Sequence, residues 1–428
     1  MSQEQTEHYV KTSGAAAHRA ARAGGPWPAL GNRAFLAERL LLARMMESLG
    51  KPPLDLVLWD GQVIASASAA PVAQVLIRDR GALLKLIANP ELGFGEMYTA
   101  ERIDVHGDLV GCLEAIYRSM RSAGQKQIAQ RLLASFNASP SNTQPRARRN
   151  IHHHYDIGNA FYKLWLDRDL VYTCAYFPDP DISLEAAQTA KLDYVCRKLR
   201  LAPGETVLEA GCGWGALALH MARHYGVTVR AYNISREQIA HARERARAEG
   251  LDARVQFIED DYRNVEGEFD AFVSVGMIEH VGVDQYPVLG AVIDRTLKAG
   301  GRGLIHSIGR DRPSPMTPWI ERNIFPGARP PSLSQMMQIF EPYAFSVLDV
   351  ENLRLHYART LEHWLARYEA NAERVRRMFD PAFVRTWRLY LAGSVAAFRS
   401  GDMQLFQVCF NRSGHNEIPW TRNYLYTP

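Results

Sequence analysis

The spacing of apolar positions divides the chain into stretches of different period. FLAERLLLARMMESL, 35–49, repeats at three and four residues and predicts an amphipathic helix. DLVLWDGQVIAS then alternates as two short strands around a turn at Asp60 and Gly61, AQVLIRD is a third strand, and GALLKLIANP is a helix stopped by Pro90. From residue 207 the pattern becomes regular. Apolar runs in VLEA, YGVTVRAYNIS, RVQFIEDDY, FDAFVSVGM and GRGLIHSIG read as buried strands, and the segments between them have helical spacing. One of those helices opens with a capping box, Ser235 with Gln238, and VLGAVIDRTLKAGG is a helix with a glycine stop. YAFSVLDVEN and QLFQVCFN supply a sixth and a seventh strand, separated by a long helical stretch from Tyr357 to Phe398. Strands alternating with helices predict an α/β fold with a Rossmann-like, mostly parallel seven-stranded sheet covered on both faces.

Candidate chemistry enters with VLEAGCGWGALALH at 207–220. Val207 and Leu208 form a buried strand closed by Glu209 and Ala210, and Gly211, Gly213 and Gly215 punctuate the turn into the next helix. Glycines are needed where a ligand touches backbone, because a Cβ would hold it off. The turn falls at the carboxyl end of the first strand of a doubly wound sheet, where such folds bind nucleotides. GxGxG with an acid two residues before the first glycine fits S-adenosylmethionine (SAM) better than NAD. A NAD site also wants an acid closing the second strand, and VTVRAYNIS offers only Tyr232, Asn233 and Ser235 there.

At 428 residues the chain exceeds one typical domain. The expected organisation is a disordered Ala, Gly and Arg-rich terminus at 1–30, a small α+β domain at 31–120, a basic linker at 121–150 and a catalytic domain at 151–428. The aromatic residues Trp364, Tyr368, Phe383, Trp387 and Phe398 of the helical insertion would wall a substrate pocket, a role that ordinary core packing would fill with the same side chains. Formal net charge is +4, yet no acid lies between Glu114 and Asp156, where Arg118, Arg121, Lys126, Arg131, Arg146, Arg148 and Arg149 cluster. Such a tract suits phosphate groups or an anionic membrane surface, and a solvated linker equally. Five cysteines, an odd number without a CxxC pair, indicate neither a disulfide framework nor a zinc site and fit a reducing cytoplasm. His152, His153 and His154 are adjacent, an arrangement poor for metal ligation. No run approaches the roughly 20 apolar residues of a spanning helix, so membrane contact is expected to be peripheral.

The glycine turn, YTCAYF at 172–177, GMIEHVG at 276–282, LIHSIG at 304–309, IFPG at 324–327 and HYARTL at 356–361 together resemble the cyclopropane fatty acyl phospholipid synthase family, relatives of the mycolic acid cyclopropane synthases. The resemblance runs from about residue 150 to the end, and 31–120 matches more loosely the family's amino-terminal lipid-binding domain. It implies a class I SAM-dependent methyltransferase that acts on the cis double bond of an unsaturated phospholipid acyl chain. It further implies a carbocation deprotonated by bound bicarbonate, a homodimer, no nucleic acid partner, and a cytoplasmic enzyme at the inner face of the membrane.

Carried across motif by motif, the resemblance implies a bicarbonate site at Cys174, Glu279, His306, Ile308 and Tyr357. Glu279 would accept the bicarbonate hydroxyl proton, His306 and Tyr357 would donate, and Cys174 and Ile308 would offer backbone amides. For SAM it implies Tyr172 and Thr173 at the methionine end, Gly211 and Gly213 through backbone, Asn233 and Gln238 at the ribose, and Asp261 with Tyr262 at the adenine. One departure stands out: the family's Gly, any residue, Thr in the second-strand turn is Ala231, Tyr232 and Asn233 here. Three other readings remain open at this level. These are a methyl- or methylene-branched product without ring closure, a small-molecule N-methyltransferase, and a lipid-binding protein without catalysis.

Overall fold

The computed structural model describes residues 33–122 and 157–426. Within these, the chain forms two compact units, 33–122 with 379–400, and 157–378 with 401–426. The expectations for 1–30, for Lys126, Arg131, Arg146, Arg148 and Arg149, and for His152–His154 lie outside the described residues.

The first unit is α+β. Its elements are α1 (Leu36–Ser48), β1 (Leu54–Leu58), β2 (Val63–Ile64), β3 (Ala73–Ile77), α2 (Arg80–Ala88), α3 (Pro90–Thr99), β4 (Ile103–Gly107) and α4 (Leu109–Ser122). The sheet order is β2-β1-β3-β4, with β1 and β3 parallel and the outer pairs antiparallel. Pro90, read as a stop, is the first residue of α3. A proline lacks an N–H that the first helical turn would leave unpaired anyway, and Asn89 Oδ1 caps that turn by accepting from Leu92 N at 3.1 Å. Leu42, Leu56, Ile77, Leu83, Ile103 and Cys112 share the core. The helix Pro381–Ser400 belongs to this unit, although the hydrophobic pattern assigns it to one continuous insertion in the catalytic domain. Arg385 holds it there: its guanidinium lies 4.0 Å from the Tyr98 ring centroid and donates to Tyr98 O (2.6 Å) and Ile103 O (3.0 Å).

The second unit contains α5 (Leu184–Leu199), β5 (Thr206–Ala210), α6 (Ala216–Tyr225), β6 (Thr228–Asn233), α7 (Arg236–Ala248), β7 (Val255–Glu259), β8 (Phe269–Val275), α8 (Tyr286–Thr296), β9 (Leu297–Gly309), α9 (Pro318–Asn323), β10 (Phe345–Asn352), α10 (Arg354–Ala370), α11 (Ala372–Met378) and β11 (Gln404–Arg412). The sheet order is β10-β11-β9-β8-β5-β6-β7, parallel from β7 to β9 and antiparallel at β11. Strand alternation sends Val207, Val229 and Val273 into one core with α5, α6 and α7, and Leu208, Phe272 and Ile305 into another with α8. The glycine stop expected after α8 is instead strand: β9 begins at Leu297 and runs through Gly300 and Gly301. Ser235 caps α7 by accepting from Gln238 N at 3.4 Å. The expected return bond of the capping box is replaced, because Gln238 Oε1 accepts from Asn233 Nδ2 at 2.7 Å. Among the described residues no helix is long and apolar enough to cross a membrane, and no cluster of three or more metal-ligating side chains occurs.

Candidate active site

The turn after β5 is held by backbone. Gly211 and Cys212 both donate to Tyr232 O, at 2.9 and 3.1 Å, which ties the ends of β5 and β6 together. Gly211 and Gly215 have φ of +85° and +86°, and a Cβ would meet Met277 Cβ at 2.9 Å or Phe257 Cζ at 2.6 Å. Both are glycine for packing as well as for conformation. Gly213 differs: its φ is +53° and nothing lies within 4 Å of where its Cβ would stand. Gly213 also lines a cavity.

All eight residues assigned to SAM line this cavity: Tyr172, Thr173, Gly211, Gly213, Asn233, Gln238, Asp261 and Tyr262. Asp261 is buried and engaged, accepting from Arg263 Nε at 2.7 Å and from Arg263 N at 3.0 Å. Asn233 reaches Gly213 O at 3.4 Å as well as Gln238. Sequence reasoning did not assign Lys191, Trp214, Met277 and His280, which also line the cavity, as does Glu209, the acid of the glycine-turn signature. Lys191 sits in α5, where Gln188 and Lys198 are buried too; it is 2% exposed and donates to Thr173 Oγ1 at 2.9 Å. Burial pushes its ammonium down to about 8. Glu209 is pushed up to about 8 by burial, accepts from the Ala218 amide, and keeps Oε2 without a partner. A buried cation and a buried carboxylate in one cavity suit a zwitterionic ligand end.

The five residues assigned to the anion lie outside that cavity's lining, in the same unit. Gly276 N donates to His306 O at 2.9 Å, so the cavity wall at Gly276 hangs on the strand that carries His306. Met277 and His280 line the cavity on either side of Glu279, while Glu279 turns its carboxylate to β9, where Oε1 accepts from Ile308 N at 2.6 Å. The Ile308 amide, expected to face the anion, is therefore spent on Glu279, as a carboxylate 5% exposed requires a donor. Burial nevertheless pushes Glu279 up to about 7, with the Ile308 and Ser307 hydrogen bonds pulling the other way. Glu279 Oε2 and His306 Nε2 are both buried without a partner. Burial holds the His306 imidazolium far below its ordinary range.

Cys174 and Tyr357 both approach Leu353, the residue before α10: Tyr357 N donates to Leu353 O at 3.2 Å. The Cys174 thiol lies 3.1 Å from Ala175 O and 4.0 Å from Leu353 O, and Ala175 N donates to Thr360 Oγ1 at 3.0 Å. Burial raises the thiol's pKa, which disfavours a nucleophilic thiolate. Tyr357 stacks edge-on against Trp364 at 5.9 Å, and Trp364 lies 5.3 Å from Tyr172 of the cavity. An aromatic wall thus joins the cavity to the phenol of residue 357.

A seven-stranded sheet of this order, with a glycine turn and ligand cavity at the end of β5, defines a class I SAM-dependent methyltransferase. The chain belongs to the mycolic acid cyclopropane synthetase family, whose profile matches residues 142–408. A profile of a domain of unknown function matches residues 41–127. The chain is 37% identical over 366 residues to the cyclopropane-fatty-acyl-phospholipid synthase of Escherichia coli (strain K12), covering 83% of this chain and 92% of that one. It is 34% identical over 390 residues to a probable fatty acid methyltransferase of Pseudomonas putida, covering 87% and 96%. The crystal structure of mycolic acid cyclopropane synthase CmaA1 complexed with SAH and CTAB matches with a TM-score of 0.59 at 31% identity, covering 62% of this chain and 98% of that one. The enzyme is accordingly a SAM-dependent methyltransferase of the cyclopropane synthase type.

Proposed function

We propose that the chain is a cyclopropane-fatty-acyl-phospholipid synthase, adding the methyl carbon of SAM to the cis double bond of an unsaturated phospholipid acyl chain and closing a three-membered ring. The observation that carries this reading is that Glu279 Oε2 and His306 Nε2 are both buried polar atoms without partners, Glu279 being bonded to Ile308 on the strand that carries His306, next to the cofactor cavity. A catalytically idle lipid binder has no need to bury both.

The alkene π electrons form a bond to the sulfonium methyl as the C–S electrons return to sulfur. An isolated alkene is a weak nucleophile, so the protein contributes alignment and dryness. The apolar wall of Tyr172, Trp364 and Tyr357 supplies both, and an aromatic face beside the resulting cation contributes about 0.5–2 kcal/mol. Ring closure then requires loss of a proton from the added methyl, whose C–H electrons form the last ring bond. Bicarbonate, when bound, supplies the base. The residues present fit it: Glu279 Oε2 would accept its hydroxyl proton and His306 Nε2 would donate to an oxygen, while Ile308 N fixes the Glu279 carboxylate. Stripping bicarbonate from the buffer is expected to slow turnover by about tenfold or more. A rate indifferent to added bicarbonate excludes it as the base.

A second reading is favoured by the Pseudomonas putida relative, named a probable fatty acid methyltransferase. Loss of a different proton leaves a methyl- or methylene-bearing chain. Incubation with SAM and a cis-monounsaturated phospholipid separates the two by NMR. Ring closure removes the olefinic proton signals, whereas a methylene product keeps them.

The membrane partner follows from the same reading. Arg121 at the end of α4 and the basic residues that follow it suit anionic lipid, so binding to vesicles containing anionic phospholipid is expected to weaken by about tenfold between 0.05 and 0.3 M salt. Salt-independent binding leaves the tract as a linker. The enzyme is proposed to act as a homodimer at the inner face of the membrane, which sedimentation of the full chain tests.

A further inference from the structure

β11 runs antiparallel to β9 and sets Gln407 directly opposite His306. Both are buried, at 0% and 1% exposure. From Leu405 to Phe410 the strand is otherwise apolar and buried throughout, so Gln407 is its single polar break. A carboxamide in such a row costs stability unless it bonds. Gln407 Nε2 lies 3.0 Å from His306 Nδ1, while Gln407 Oε1 and His306 Nε2 have no partner.

An amide N–H donates and never accepts. With Gln407 Nε2 toward the ring, His306 Nδ1 accepts and the ring proton resides on Nε2. Burial, with Lys191 and Lys198 near, keeps the ring neutral, and for a neutral imidazole the tautomer decides whether Nε2 offers a proton or a lone pair. A lone pair there would repel an anion.

We propose that Gln407 is a positioning residue that holds His306 as its Nε2–H tautomer, so that the imidazole donates to the anion that Glu279 accepts from. The proposal rests on the reading of Glu279 and His306 as one anion site. In that arrangement one partner accepts and the other donates, which a bicarbonate ion, carrying both a hydroxyl and bare oxygens, satisfies and a chloride does not. Strand pairing fixes the two Cα atoms opposite each other.

The experiment uses the full chain labelled with ¹⁵N-histidine. NMR of the wild type is expected to show His306 Nε2 as the protonated nitrogen, its signal assigned by its loss in His306→Gln. Gln407→Glu, an acceptor, is expected to bring a proton to Nδ1. In Gln407→Met the half-saturating bicarbonate concentration is expected to rise about tenfold while SAM affinity holds. A wild-type His306 protonated on Nδ1 overturns the proposal whatever bicarbonate does, and so does an unchanged bicarbonate half-saturation in a folded Gln407→Met. A wild type with Nε2–H whose rate ignores bicarbonate would instead remove the anion reading and leave the tautomer assignment standing.

Discussion

Replacing Glu279 by glutamine is expected to lower turnover by about 100- to 1,000-fold at saturating SAM and to change SAM affinity by less than about twofold. The glutamine Oε1 can still accept from Ile308 N, so the local backbone is kept. What changes is the far atom: an acceptor oxygen becomes an amide donor, and a donor facing a bicarbonate hydroxyl repels it. Turnover by a stopped acyl-methylation assay and SAM binding by calorimetry check the split. Lost SAM binding in this variant would refute the assignment.

The same carboxyl gives a pH dependence. Its folded pKa is raised from 4.5 to about 7 by burial, so the neutral acid is the favoured native form. Its contribution to stability is present below the unfolded value and is lost as pH rises from about 4.5 through about 7. Activity runs the other way, because only the carboxylate accepts the hydroxyl proton. Rate is expected to climb through pH 7 in the wild type, and Glu279→Gln to flatten that limb while melting relatively higher at alkaline pH.

The second large effect is at Gly213. Gly213→Ala is expected to weaken SAM binding by about 100-fold or more while costing only about 1–2 kcal/mol of stability for a non-glycine residue at φ +53°. The stability cost is bounded because no protein atom lies within 4 Å of the new methyl, whereas on the proposed reading SAM would lie against Gly213 in the cavity it lines. Gly215→Ala provides the contrast. There the methyl meets Phe257 and Ala242, so scanning calorimetry should register a larger loss of stability than at Gly213. Equal SAM affinity in Gly213→Ala and wild type would show that the turn does not cradle the cofactor.

The parts of the fold legible in the sequence were those with local causes. Buried parallel strands are apolar at nearly every position, and the 207–215 turn announces itself because its glycines serve close packing and left-handed backbone at the edge of the cavity. Pro90 misled because proline both ends helices and begins them; the Asn89 cap was the deciding signal. Gly300 and Gly301 resemble a helix terminus, but the pairing of β9 with its neighbours overrode that local preference. Lys191 looks like one more surface lysine of an amphipathic helix, and only the packing of α5 shows it buried. Gln407 was visible as an odd residue in QLFQVCFN, yet its meaning depends on register, which fixes His306 opposite and cannot be read from one strand.

The placement of Pro381–Ser400 could not be read from periodicity, which tells that a face is apolar and not which surface it covers. That helix packs on α3 and α4, with Gly393 against Leu113, some 280 residues after those helices are made. On the ribosome, at roughly 5–20 residues per second, the early part of the protein waits on the order of tens of seconds for its last piece. During that interval the nascent four-stranded module has a bare greasy flank. A clone trimmed to the contiguous 41–127 stretch would carry that defect permanently, and is expected to need the distant helix supplied in trans to stay in solution.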